Sequence, residues 1–114
     1  HVPTVNDFKN LILYLGEKPG TKIKAKEGWQ DVDYVTKPEY QGTDEFGFNA
    51  LPGGNRKYQE GFMRIGMYGE WWTSEVQESY TTSAYMFYVY ARYTDIRTLY
   101  HLKETGHAVR CIKD

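Results

Sequence analysis

Histidine and cysteine side chains are the first residues of this chain to consider for catalysis or metal binding. Its histidines are His1, His101 and His107, and their spacing matches neither H-E-x-x-H nor another metal-binding pattern. The single cysteine, Cys111, excludes an internal disulfide and a cysteine-rich zinc site. His107 and Cys111 do not make a thiol–imidazole pair, because residues i and i+4 of a strand lie about 13 Å apart. The sequence therefore predicts no metal site and no activated thiol.

Two further sets of residues resemble hydrolytic sites in composition only. Ser74, His101 and Asp95 supply a serine, a histidine and an aspartate, but the nucleophile elbow G-x-S-x-G is missing. Glu70 and Glu75 flank two tryptophans, and a carboxylate pair for sugar hydrolysis also needs a cleft, which a sequence does not show. We therefore predict that the chain is not an enzyme.

An acidic stretch in the first half of the chain offers oxygen ligands. Its members are Asp31, Asp33, Glu39, Asp44 and Glu45. Calcium takes oxygen ligands from such loops, but this spacing matches no EF-hand. A polar loop is the simpler interpretation and a structural calcium ion is the alternative. No other cofactor is predicted.

Tyrosines are concentrated towards the C-terminal end. Six of them are Tyr80, Tyr85, Tyr88, Tyr90, Tyr93 and Tyr100. Tyrosine packs well on the half-buried surface of a sheet and forms cross-strand pairs. It also suits a binding face, since it combines a large contact area with one hydroxyl group. We expect about half of these tyrosines to lie in the core.

The elements that position these residues begin with a helix over residues 3–16. Thr4 and Asp7 fit the capping pattern [ST]-x-x-[DE], and Gly16 suits a left-handed helix end. The apolar positions with helical spacing are Val5, Phe8, Leu11, Ile12 and Leu15. Within residues 17–45, lysines alternate at positions 22, 24 and 26. This pattern predicts either a short edge strand or one helical turn, and we expect the lysines to be solvated.

Glycines and aromatic residues dominate positions 46–74. The phosphate-binding spacings G-x-x-x-x-G-K-[ST] and G-x-G-x-x-G are both missing. Glycines beside large rings instead indicate turns and close backbone approach in a β-rich region. We expect at least one of Trp71 and Trp72 to lie in the core.

Residues 83–113 predict three antiparallel strands, over 85–92, 96–102 and 107–112. In the first strand, Phe87 and Val89 alternate with Tyr88 and Tyr90, so the two pairs face opposite sides. We expect the phenylalanine and valine side to be core and the tyrosine side to bind a ligand. The predicted ligand-facing residues are Tyr88, Tyr90, Arg92, Arg97 and His101.

Length and charge limit the classes of function. A chain of 114 residues forms one domain, here 1–114. The chain has 14 Lys and Arg residues and 15 Asp and Glu residues, for a net charge of -1. Because the basic residues are not clustered, nucleic acid is not an expected partner. With 17% aromatic residues the chain is too apolar for disorder, and it has no run long enough to span a bilayer.

Four segments resemble one known family. They read His-Val-Pro-Thr at residues 1–4, Gly-Phe-Asn-Ala-Leu-Pro-Gly-Gly-Asn-Arg at 47–56, Trp-Trp-Thr-Ser at 71–74 and Val-Arg-Cys-Ile at 109–112. In order and spacing the chain resembles the Fibrobacter succinogenes major paralogous domain over its whole length. Thr73 stands where the family has serine, Ile112 where it has valine, and His107 where phenylalanine is common.

The resemblance implies an α+β, C-type lectin-like fold, with an N-terminal helix packed on a twisted antiparallel sheet below a long irregular loop region. It also implies an extracellular setting, in surface lipoproteins and secreted proteins of Bacteroidota-type bacteria. The lectin signatures Glu-Pro-Asn, Gln-Pro-Asp and Trp-Asn-Asp are missing. The related sulfatase-modifying enzymes use cysteines, and the one cysteine here lies in the final motif.

The expected function is therefore a non-enzymatic ligand-binding or adhesion module, with a protein or glycan partner at a cell surface. One alternative is a diversified receptor-binding domain of a phage or surface protein. Another is a degenerate enzyme of the sulfatase-modifying type, and a third is a purely structural cap on a larger protein.

Cys111 has two interpretations. Beside Val109 and Ile112 it is typical of a small buried hydrophobe. The resemblance implies instead a disulfide to a cysteine upstream of His1, in a longer chain of which this is the C-terminal part. An extracellular setting would keep that bridge oxidised.

Overall fold

The structure, a computed structural model, describes residues 1–30 and 37–114 and has two helices, a hairpin and a three-stranded sheet. The elements are α1 (Val5–Leu15), α2 (Pro19–Ile23), a 3-10 turn (Pro38–Tyr40), β1 (Asn55–Lys57), β2 (Gly61–Met63), β3 (Tyr68–Val76), β4 (Ser83–Tyr90) and β5 (Arg97–Leu102). β1 and β2 pair antiparallel, and β3, β4 and β5 form an antiparallel sheet in that order. The α+β class is confirmed. No helix in the described part of the chain is long and apolar enough to cross a membrane.

Helix α1 begins and ends where the sequence predicts. The Thr4 hydroxyl accepts a hydrogen bond from the Asp7 backbone N–H at 3.0 Å, and the Asp7 carboxylate accepts from the Thr4 N–H at 2.8 Å. This reciprocal capping box satisfies two backbone donors that a helix start leaves free. Gly16 follows the helix at φ 70°, a region that glycine enters without steric cost.

The core lies between α1 and the inner side of the three-stranded sheet. Phe8 stacks on Phe87 with ring centroids 4.2 Å apart. Trp71 is 6% exposed and meets Phe48 edge-on at 5.9 Å. The prediction that one of the two tryptophans is core is confirmed by Trp71. Phe48 belongs to the long connection before β3, so this contact anchors the loop region to the sheet.

The predicted sides of β4 are confirmed with one difference. Phe87 and Val89 are fully buried, whereas Tyr88 and Tyr90 remain partly exposed. Met86 shares the tyrosine side but is also fully buried. Its register partners are Trp72 on β3 and Leu99 on β5, so it lies in the middle of the sheet with a large neighbour on each side.

The predicted third strand over 107–112 is wrong. Within this segment only Ala108 forms a bridge, a parallel one with Trp71, and Gly106 just before the segment bridges Arg56. Ala108 is hydrogen-bonded to the edge of β3. Its N–H donates to the Glu70 carbonyl at 3.2 Å, and its carbonyl accepts from the Trp72 N–H at 3.0 Å. Further along, the Ser74 N–H donates to the Pro3 carbonyl at 2.9 Å, so the N-terminal segment occupies the edge that a longer strand would need.

The lysine-rich segment is helical up to Ile23, in agreement with one of the two alternatives. The expectation that its lysines are solvated is wrong for Lys24, which is fully buried. Helix α2 also packs closely on the loop after β4. The Gly20 N–H donates to the Thr94 carbonyl at 2.8 Å, and a Cβ on Gly20 would lie 2.2 Å from the Asp95 carbonyl oxygen. Only glycine permits this approach.

The acidic stretch lies partly outside the described residues, since Asp31 and Asp33 are not among them. Glu39 and Glu45 are exposed. Asp44 accepts a hydrogen bond from the Asn49 N–H at 2.7 Å, as in an ordinary polar turn. A structural calcium ion at this stretch remains a prediction.

Candidate functional site

Four tyrosines and two arginines form one continuous patch on the outer side of the sheet. We call it the tyrosine–arginine surface; its members are Tyr68, Tyr88, Tyr90, Tyr93, Arg64 and Arg97. The Tyr68 ring stacks on Tyr90 with centroids 4.5 Å apart and lies 5.9 Å from Tyr88. Tyr90 meets Tyr93 edge-on at 4.8 Å. All four tyrosines are half-buried, so their rings are fixed by packing while part of each still faces solvent.

The sheet register places these side chains together. Tyr68 on β3 pairs with Tyr90 on β4, and Tyr88 pairs with Arg97 on β5. Directly opposed residues of antiparallel strands have Cβ atoms about 5 Å apart, which brings their side chains into contact. Tyr93 joins them through the turn after β4, where its N–H donates to the Tyr90 carbonyl at 3.0 Å.

Two arginines lie over rings of the tyrosine–arginine surface. The Arg64 guanidinium carbon is 4.7 Å from the Tyr68 ring centroid, and that of Arg97 is 3.6 Å from the Tyr93 centroid. Both arginines are exposed. Arg97 Nε also contacts both Asp95 carboxylate oxygens, at 3.0 and 3.1 Å, and this hydrogen bond raises the pKa of Arg97. The patch thus presents aromatic faces bordered by permanent cationic donors.

Lys24 supports the same patch from beneath. Its Nζ atom donates to the backbone carbonyls of Tyr93, Tyr40 and Ala91 at 2.7, 3.2 and 3.4 Å, and lies 5.4 Å from the Trp29 ring centroid. Burial lowers the pKa of Lys24 to about 8, and the charge of Asp95 acts in the opposite direction. This ammonium group ties α2 to the turn that carries Tyr93.

A second group of polar side chains lies at one corner of the sheet. We call it the histidine corner; its members are Glu70, His101 and His107, whose donor atoms lie within 4.8 Å of one another. Glu70 is 2% exposed, and its Oε2 is 3.4 Å from His107 Nδ1. The Asn55 amide donates to the same oxygen at 2.7 Å, and Arg64 is 3.4 Å from Oε1.

The charges of the histidine corner are set by burial and by one another. Burial alone would raise the pKa of Glu70, but the contacts with His107 and Asn55 and the charge of Arg64 outweigh it, so the pKa is lowered. Burial lowers the pKa of His101, and the neighbouring His107 lowers it further. A buried carboxylate therefore lies beside two imidazole rings.

A family model of the Fibrobacter succinogenes major domain matches residues 1–113. The chain belongs to that family. The match confirms the resemblance read from the four sequence segments. Comparison with curated proteins found no match, and comparison with solved structures found none either.

Within this family member, three of the five predicted ligand-facing residues meet on one surface, namely Tyr88, Tyr90 and Arg97. Arg92 follows β4 and is half-buried. His101 lies on the same side of the sheet as Arg97, but its ring belongs to the histidine corner, where its Nδ1 lies 2.9 Å from His107 Nε2. Their shared role in ligand binding remains a prediction.

Sequence reasoning missed half of the surface, and although it named His101 as a ligand-facing residue, it did not predict that His101 meets Glu70 and His107. Tyr68 and Arg64 lie in the glycine-rich stretch, and no pattern there predicts that Tyr68 pairs with β4 or that Arg64 lies over its ring. The available signal for Tyr93 was its place in the turn directly after the tyrosine strand. The histidine corner could not be predicted from a local pattern, because its three residues come from β3, β5 and the C-terminal segment.

Cys111 is exposed in this chain. The interpretation as a buried hydrophobe is therefore wrong. The segment that carries it lies against the start of the chain, since the Ile112 N–H donates to the His1 carbonyl at 2.8 Å. A disulfide from Cys111 to an upstream cysteine remains a prediction, and it agrees with this closeness of the two segments.

Proposed function

We propose that the chain is a non-enzymatic ligand-binding or adhesion module that works outside the cell, on a bacterial surface or in a secreted protein. Its helix on an antiparallel sheet agrees with the C-type lectin-like arrangement that we propose for its fold, as does a long connection between α2 and β3 whose described part holds one 3-10 turn and the β1–β2 hairpin. The ligand is a protein or a glycan. The tyrosine–arginine surface is the proposed contact face.

The observation that carries this proposal is the row of four touching tyrosine rings, with Arg64 over Tyr68 and Arg97 over Tyr93. Half-buried tyrosines provide a large contact area with few rotatable bonds, so little entropy is lost on binding. Their faces stack on sugar rings or apolar side chains, and exposed guanidinium groups donate several hydrogen bonds to oxygen acceptors. A packed, rigid patch of this kind is preorganised for binding.

A binding screen tests the proposal. The folded chain is applied to an array of bacterial and host glycans and surface proteins, and the dissociation constant is then measured for its strongest ligand. We expect Arg97→Ala to weaken binding at least tenfold, because Arg97 is exposed and borders the tyrosine row. The folded state of each variant is checked by circular dichroism.

Arg56→Ala is the matched control. Arg56 is also an exposed arginine over an aromatic ring, with its guanidinium carbon 5.8 Å from the Phe62 centroid, but it lies on the β1–β2 hairpin. Binding by Arg56→Ala should equal that of the wild type. Equal losses in the two variants, or a well-folded chain that binds nothing on the array, would contradict the proposal.

A further inference from the structure

We propose that the histidine corner is a binding site for a divalent transition-metal ion of the Zn²⁺ class. Its ligand atoms are imidazole nitrogens of His101 and His107 and a carboxylate oxygen of Glu70, all within 4.8 Å of one another. Imidazole together with carboxylate suits Zn²⁺, Cu²⁺ or Ni²⁺, whereas Ca²⁺ and Mg²⁺ prefer oxygen ligands alone.

The two imidazoles are already close to a shared cation. His101 Nδ1 and His107 Nε2 are 2.9 Å apart, with ring centroids at 5.0 Å. Two nitrogen ligands of a tetrahedral zinc ion are about 3.3 Å apart at Zn–N distances of about 2.0–2.1 Å. A small separation of the rings therefore makes room for an ion where a proton now links the two nitrogens.

Poorly paired polar atoms at the corner are an independent sign of a missing ligand. The His107 side chain is fully buried, and its Nδ1 atom has Glu70 Oε2 at 3.4 Å, which is too far for a well-formed hydrogen bond. The Oδ1 atom of Asn55, whose amide nitrogen holds Glu70, is also buried without a donor. Buried polar atoms are rarely left unsatisfied, because each loses its hydrogen bonds to water on folding. An ion held by His101 Nδ1 and His107 Nε2 would fix the Nδ1–H group of His107 towards Glu70 Oε2, and a water on the ion would supply a donor for Asn55 Oδ1.

The surrounding charges define how the ion would be held. Arg64 occupies Oε1 of Glu70, which leaves Oε2 facing His107. That carboxylate oxygen then either joins the metal or fixes the orientation of the His107 ring, as carboxylates beside ligating histidines commonly do. His101 is only half-buried and gives the ion a path from solvent. The Trp72 ring lies edge-on to His107 at 4.4 Å and restricts its rotation.

Titration of the tag-free chain with ZnCl₂ at about pH 7.5, followed by calorimetry and thermal melting, tests the proposal. We expect one ion per chain and a melting temperature raised by about 5 °C or more at saturating zinc. His101→Gln should lower the affinity at least tenfold. This substitution is chosen because His101 is partly exposed, so its loss leaves the fold intact.

The remaining histidine gives the control. His1 is not a member of the histidine corner and contacts Asp7 and Asp114 instead. His1→Gln should bind zinc within about twofold of the wild type. The proposal is overturned if the wild type shows no zinc binding below about 1 mM. It is also overturned if zinc binding is lost in His1→Gln and retained in His101→Gln.

Discussion

Replacing Trp71 by alanine is expected to lower the free energy of unfolding by about 3–5 kcal/mol. Trp71 is 6% exposed and belongs to the same core cluster as Phe8 and Phe87. Its removal leaves a cavity at the contact with Phe48, where the irregular connection is held on the sheet. The measurement is urea-induced unfolding followed by circular dichroism.

Phe62→Ala is the control for loss of an aromatic ring at an exposed site. Phe62 lies on the β1–β2 hairpin and is 73% exposed. Its truncation should change the free energy of unfolding by no more than about 0.5 kcal/mol. If Trp71→Ala were as stable as Phe62→Ala, the assignment of Trp71 as the anchor of the loop region would be wrong.

Replacing Lys24 by methionine should lower the free energy of unfolding by about 3 kcal/mol near neutral pH. Methionine keeps the length of the side chain but leaves the carbonyls of Tyr40, Ala91 and Tyr93 without the donor they now share. Lys26→Met is the matched control, because Lys26 is two residues away and exposed. A Lys24→Met variant as stable as Lys26→Met would contradict this support for the Tyr93 turn.

Comparing the wild type with Lys24→Met also makes the pH dependence of stability measurable. The pKa of Lys24 is about 8 in the folded chain and 10.5 as the ordinary value for lysine. Between these values the unfolded state holds more protons, so the wild type gains stability as pH rises. Its advantage over Lys24→Met should grow by about 1.4 kcal/mol per pH unit from about pH 8 to 10. An advantage that stays constant over this range would contradict the lowered pKa.

Local patterns predicted the elements that local physics controls. The Thr4–Asp7 capping box and the alternation of Phe87 and Tyr88 both act between residues close in sequence, and both are confirmed. The burial of Lys24 had no such signal, because its partners come from the distant turns at Tyr40 and Tyr93. The predicted strand over 107–112 was wrong because the edge of β3 is shared with the N-terminal segment.

The candidate site was likewise predictable only where its residues are close in sequence. Tyr88 and Tyr90 could be placed on one side of a strand from alternation alone, and Arg97 followed from the next strand. Tyr68 required the register of β3 against β4, which no pattern in the chain determines. The meeting of His101 with His107 required the path of the C-terminal segment along β3.

The most direct test of the central claim is backbone amide hydrogen exchange of the chain with and without the strongest ligand from the array. The tyrosine–arginine surface is built from residues 64–68 and 88–97. Our account predicts that bound ligand slows exchange most in these two segments. Protection confined to the β1–β2 hairpin or to α1, with exchange in both segments unchanged, would contradict it.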